Sequence, residues 1–340
     1  MSNTRKTSIE ALRFLFMMQI CLWHYGYPVM DAGFVGVEFF FILSGFFIYL
    51  TSVKPYSGGI VQFTIQKTKK FYVKYVFATL LGWIVFGHTL TLSSMKDMLH
   101  ALLMLVSQLL MLQSVGIFEG GLNAPLWFFS VLIVGGAFVY GAVKYYCNIS
   151  LRFIFPLVVI LFLTYCFSGG KSADLEVFDT ESCIPMTLMR GVCEMAYGSL
   201  IGFLFTRYGY VVNRHIFVLN MLTLFSIVLY LLVMIADGHD ISYVFIFVPV
   251  FIIAAMTRGS SMQRLFSHEI WGRLGALSFD LYLIHAPLIA LIKHFLLREF
   301  NINFYLVCVV YYLMLIPTAI LFDRFVATVG GKIKFMLKDS

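Results

Sequence analysis

The chain has 340 residues, of which 61% are hydrophobic and only 12% charged, with a formal net charge of +7. Soluble domains carry about 25% charged residues, so this composition excludes a water-soluble globular protein and makes lipid the solvent for most of the surface. In a soluble protein the basic excess would raise nucleic acid as a partner; here membrane topology accounts for it, and no nucleic-acid role is expected.

A helix needs about 20 apolar residues to cross the hydrocarbon core. The N-terminal basic residues precede an apolar run, as in a signal peptide, but no small-x-small cleavage site follows and the run continues into the bulky stretch from Trp23. It is read as a retained span. Apolar runs then follow at about 10–29, 34–53, 71–91, 97–116, 126–144, 152–168, 186–206, 215–236, 241–257, 277–296 and 303–325. The fourth is crowded by Lys96, Asp97, His100, Gln108 and Gln113. If it does not cross and the N-terminus is cytoplasmic, 19 of the 24 Lys and Arg residues fall on the cytoplasmic side; if it crosses, they divide 12 and 12. Cytoplasmic loops are the basic ones, which selects the first arrangement. The expectation is an all-α integral membrane protein. It has a bundle of ten transmembrane helices, both ends cytoplasmic, and a re-entrant or interfacial helix at about 97–116. The acidic residues Asp174, Glu176, Asp179 and Glu181 fall outside. Residues 1–340 form a single transmembrane domain with no soluble extra-membrane domain. None of the six cysteines forms a C-x-x-C pair, so neither a metal site nor a disulfide framework is expected.

Ionisable groups inside spans are functional candidates by default. Arg13 and His24 lie eleven residues apart in the first span. At 100° per residue they share one helix face, separated by about 16 Å along the axis. Two readings stand from spacing alone: an acid–base pair of an active site, or an arginine snorkelling to headgroups beneath a histidine bonded within the bundle. The next run, GVEFFFILSGFFI, carries the small residues Gly36, Ser44 and Gly45, which permit close helix approach. Its one acid, Glu38, sits either beside His24, where a carboxylate fixes the imidazole tautomer, or in the outer headgroup layer.

The stretches SIEALRFLFMMQICLWH and GFVGVEFFFILSGFFI resemble the opening of the acyltransferase family 3 membrane proteins, with an Arg-x10-His motif in the first span and a G-V-[DE]-x-F-F-x-x-S-G-F stretch in the second. Arg13 and His24 match the first; Gly36, Val37, Glu38, Phe40, Phe41, Ser44 and Gly45 match the second. NAPLWFFSV (Asn123 to Val131) is similar to the family's N-x-P-L-W-x-L-S segment, and LGALSFDLYLIHAPLI (Leu274 to Ile289) to its penultimate element. The family's R-R-x-x-R-I-x-P-x-Y stretch is replaced by QKTKKFYVKY. There Lys67 and Lys70 stand for the two spaced arginines, Val73 replaces the proline and Tyr75 remains. The positions after Ser130, where many members carry a glutamate, are apolar.

The resemblance implies transfer of an acyl group, most often acetyl, from cytosolic acyl-CoA to a sugar hydroxyl of a cell-surface polysaccharide or lipid-linked glycan. It implies a protein of the bacterial inner membrane. Acyl-CoA is a donor substrate; no permanently bound cofactor is expected, and homo-oligomerisation is left open. On this reading His24 is general base, Glu38 supports it and Arg13 lies on the donor side. Arg13, Lys67, Lys70 and Lys74 form a basic mouth for the donor's phosphates, a cluster that ordinary positive-inside anchoring would also produce. Ser44, Asn123, Trp127, Tyr282 and His285 are candidates for the acceptor path or for oxyanion stabilisation. The alternative function is a polysaccharide or glycolipid transporter or flippase without acyl-transfer chemistry.

Overall fold

The computed structural model describes residues 3–27, 31–90, 92–115, 121–168, 185–235 and 243–336; the four acidic residues expected outside lie beyond these ranges. The described residues hold helices and no strand. In chain order the helices are α1 (Asn3–Tyr25), α2 (Val35–Ser52), α3 (Ile60–Lys69), α4 (Tyr72–Phe86), α5 (Met95–Leu109), α6 (Trp127–Ile149) and α7 (Phe155–Ser168). They continue with α8 (Met186–Arg214), α9 (Ile216–Ile235), α10 (Val244–Met256), α11 (Ser261–Leu265), α12 (Ile270–Ile292) and α13 (Phe304–Met336).

Six of these helical stretches are long and apolar enough to cross a membrane, or seven if the bent pair α3–α4 is one span, against the ten expected. The difference has three physical sources. Helix α1 carries Glu10, Arg13, Gln19 and His24, which dilute its hydropathy. Helix α10 has only 13 residues, about 20 Å of rise. Helices α6 and α7 run together as one apolar helical stretch, Ala124–Cys166. That stretch is not straight. Tyr146 has φ −130° and ψ 38°, and Ser150 Oγ donates to Ala142 O at 2.9 Å, although eight residues of straight helix would separate them by about 12 Å. The chain folds back between α6 and α7.

Two further local features depart from the simple apolar pattern. Helices α3 and α4 meet at 58°, so the expected run at 71–91 is preceded by a basic helix that was not anticipated. Helix α5 opens with a reciprocal capping box: Ser94 Oγ accepts from the Asp97 N–H, and the Ser94 N–H donates to Asp97 Oδ2. Hydrogen bonds from Ser94 and Ser93 hold the Asp97 carboxyl below the usual carboxylate range. Met95, Met98, Leu99 and Leu102 are exposed along α5, whereas Gln108 in its last turn and Gln113 and Ser114 just beyond it are buried. The chain between turns at Met111, whose φ is 58°. It is satisfied by side chains: Tyr75 Oη donates to Gln108 O at 2.6 Å, and Gln113 Nε2 donates to Leu126 O at 2.8 Å.

Two helix pairs form the centre. Helices α2 and α8 cross so closely that a Cβ at Gly45 would collide with the Met195 carbonyl, and one at Gly198 with the Ile42 carbonyl. Ser199 Oγ donates to Gly45 O at 3.0 Å across the same seam. Contacts advance together along both helices, from Glu38 with Arg190 to Tyr49 with Thr206, so the pair is parallel. Helices α1 and α12 are also parallel: Gly275 abuts Glu10 at one end, His285 meets His24, and Lys293 Nζ donates to Tyr25 O at the other.

Candidate active site

Helix α1 ends just past His24 in a Schellman turn. The Gly26 N–H donates to Trp23 O at 2.8 Å and the Tyr27 N–H to Leu22 O at 3.4 Å. Gly26 takes φ +80°, the left-handed conformation that this cap requires and that glycine adopts at least cost. Facing this end, α12 presents His285. The two imidazole centroids are 4.8 Å apart with planes inclined at 58°. His24 Nδ1 is 3.0 Å from Ile20 O, and His285 Nδ1 is 2.7 Å from Tyr282 O. A carbonyl oxygen only accepts, so these bonds place a hydrogen on Nδ1 of each ring and leave Nε2 as an acceptor. His285 is fully buried and its Nε2 has no hydrogen-bond partner among the described residues.

A cavity of about 630 Å³ opens between α1, α2, α3, α6 and α12. Arg13, Lys67 and Lys70 line it, together with Glu10, which accepts from Arg13 at 2.8 Å. Its walls are aromatic, with Phe40, Phe128, Phe129 and Tyr282, and Ser44 faces it from α2. The histidines do not line it. They stand behind Tyr282, whose ring centroid is 5.4 Å from that of His285 and 5.4 Å from that of Phe128.

The other candidates are placed as follows. Glu38 is fully buried, but its carboxylate pairs with Arg190 of α8 rather than with His24. Arg190 Nε also donates to Glu194 at 3.3 Å. This corrects the expected Glu38–His24 pairing: the side chain leaves α2 on the face packed against α8, and a buried guanidinium there offers a far stronger partner than an imidazole. Lys74 is likewise corrected. It does not line the cavity; its ammonium lies 2.8 Å from Asp280 and 2.7 Å from Asp323, joining α4 to α12 and α13. Asn123 donates its amide hydrogens to Ala78 O and Leu283 O, both at 3.2 Å, so it ties α4 and α12 to the start of α6. Tyr282 Oη donates to Pro125 O at 2.6 Å. With their donors so engaged, Asn123 and Tyr282 position the helices rather than presenting free hydrogens. Trp127 is buried against Phe41 and away from the cavity lining. Sequence reasoning missed Arg190 and Glu194. Their signal is present as two charges one turn apart inside an otherwise apolar run. Among the described residues no group of three or more His, Cys, Asp or Glu side chains could hold a metal ion.

A cavity with cations and aromatic rings in its lining, and a half-buried and a fully buried histidine beyond it, mark an apolar helical bundle that carries more than packing residues. The family model of the acyltransferase domain of acyltransferase family 3 matches residues 6–324. The chain belongs to that family and is a membrane acyltransferase. No significant match is found among curated proteins or among solved structures.

Proposed function

We propose that this acyltransferase moves an acyl group, acetyl by preference, from cytosolic acyl-CoA to a sugar hydroxyl of a surface polysaccharide or lipid-linked glycan. The observation that carries the reading is the continuity of the site. One cavity joins Arg13, Lys67 and Lys70 to Tyr282; Tyr282 packs on His285, and His285 on His24. Coenzyme A is polyanionic, and three cations at the rim suit its phosphates. The pantetheine arm is thin enough to lie along the aromatic wall as far as Tyr282, and on this reading that ring must turn aside for the thioester to reach the histidines. His24, with Nδ1 bonded to Ile20 O, offers Nε2 as general base to the acceptor hydroxyl. Ser44, on the cavity wall, is the candidate donor to the developing oxyanion. Glu38, held by Arg190, braces α2 against α8 and so fixes the wall that carries Ser44.

The accompanying topology has ten crossings: α1, α2, the bent pair α3–α4, α6, α7, α8, α9, α10, α12 and α13, with both ends cytoplasmic in a bacterial inner membrane. Helix α5 lies in the outer interface or re-enters. The parallel pairs support this count, because α1 and α12 point the same way, and α2 and α8 do, only if an odd number of crossings lies between the two members, as the seven and three of this arrangement do. A crossing by α5 would reverse both pairs.

The test uses sealed vesicles that contain the protein and a membrane glycan fraction, with labelled acetyl-CoA supplied on the cytoplasmic face. Label is expected in the glycan, and His24→Ala is expected to lower the rate by about 100-fold or more. Glycan translocation without label would make the protein a transporter; full transfer by His24→Ala would remove the base assigned here.

A further inference from the structure

We infer that His285 is a second working histidine, and that His24 and His285 together form one acceptor site for a single hydroxyl. The inference rests on the acyl-transfer reading above and deepens it. Each ring is fixed by its own helix: His24 Nδ1 on Ile20 O, four residues back, and His285 Nδ1 on Tyr282 O, three residues back. Two imidazoles so fixed both present Nε2 lone pairs, and neither can donate to the other. At a centroid separation of 4.8 Å and an inclination of 58° they are not stacked, and a donor between the rings can lie within hydrogen-bonding reach of both. A buried acceptor without a partner is rare in folded proteins. Among the described residues His285 Nε2 is such an atom, and what it lacks is an O–H or N–H donor. The charged groups with contacts around this end of α1 are directed at other atoms. Lys293 donates to Tyr25 O, and Glu38 is paired with Arg190. The missing donor is therefore assigned to the substrate hydroxyl.

The proton path follows from the geometry. The hydroxyl oxygen attacks the thioester carbonyl carbon and forms the new C–O bond, while its proton passes to His24 Nε2. The protonated His24 then has an N–H where it had a lone pair, and His285 Nε2 accepts from it. As the C–S bond breaks, the leaving thiolate takes that proton, and the free thiol of coenzyme A departs with both rings neutral again. His285 thus orients the hydroxyl before attack and shares the proton after it.

The experiment uses the full chain in lipid nanodiscs with ¹⁵N-labelled histidine. In the wild-type protein the imidazole signals of His24 and His285 are expected to respond to pH as a coupled pair, both moving in each of two steps. Two rings titrating independently would overturn the pairing, whatever the substrate. In the vesicle assay, His285→Gln, which keeps the side-chain volume, is expected to lower kcat by about 100-fold while the donor KM stays within about twofold. The double variant His24→Gln/His285→Gln is expected to be only about threefold slower than His24→Gln alone, as for residues that act as one unit. Losses that multiply in the double variant, or a His285→Gln kcat within about threefold of wild type, would overturn the inference. Gel-filtration profile and melting temperature show that each variant is folded. Absence of any transfer by the wild-type chain would defeat the acyl-CoA reading instead, leaving the titration to judge the pair.

Discussion

The two groups of charges in this protein do different things, and the side chains they meet tell them apart. Lys67 and Lys70 line the cavity with Arg13, so Lys67→Gln/Lys70→Gln is expected to raise the donor KM by about tenfold with little change in kcat, as measured by initial rates against acetyl-CoA concentration. Lys74 sits between Asp280 and Asp323. Lys74→Met leaves the nearly fully buried Asp280 without its cation, and breaking one side of a buried pair costs about 3–5 kcal/mol. That variant is expected to melt at lower temperature while its donor KM, in whatever fraction stays folded, is unchanged. Arg190→Leu is expected to be worse still, because both Glu38 and Glu194 lose their partner. The sequence made part of this legible. Eleven-residue spacing set Arg13 and His24 on one face of α1, and both lie on the sides of α1 that meet the cavity and α12. It could not say which cation would meet Glu38. That depends on how a helix far along the chain is rotated against α2, and rotation is settled by packing at Gly45 and Gly198 rather than by any local pattern.

Helix packing at the centre depends on the absence of side chains. Gly45 faces the Met195 carbonyl, and Gly198 the Ile42 carbonyl, so neither neighbour can retreat by rotating a side chain. Gly45→Ala is expected to abolish a monodisperse, folded preparation. Gly209→Ala, in the same α8 but with open space around it, is expected to melt like the wild type. Gly36 and Gly45 of α2 were read correctly from sequence as places of close approach, since that reading needs only their size, whereas Ser44 faces the cavity. The bend between α3 and α4 was not legible. Lys67, Lys69 and Lys70 interrupt the apolar pattern and read as a loop, whereas the bent pair brings the amphipathic turn of α3 alongside α6, with Phe63 stacked on Tyr140 at 4.0 Å.

Across the whole molecule, the position of α5 decides the direction of everything after it. With Ser93→Cys before α5 and Leu122→Cys after it, each in a cysteine-free background, an impermeant thiol reagent is expected to label both from the same side of sealed vesicles. Labelling from opposite sides would add a crossing. Counting basic residues favours labelling from the same side, because loop charge is a global property of the sequence. The helix lengths do not reproduce it, because α10 is short, α1 is polar, and α6 and α7 are joined without a loop. One feature sets how this plan can change over time. None of the residues of α3 is buried, yet α3 carries Lys67 and leads into Lys70. The lysines of the cavity therefore sit on a segment held to the bundle through Ile60 against Gly141 and Phe63 on Tyr140, so its exposed positions can drift without repacking the core, while the histidine pair lies on two closely packed helices. On the proposed reading, selectivity for the donor can diversify at those positions more freely than the acid–base centre can.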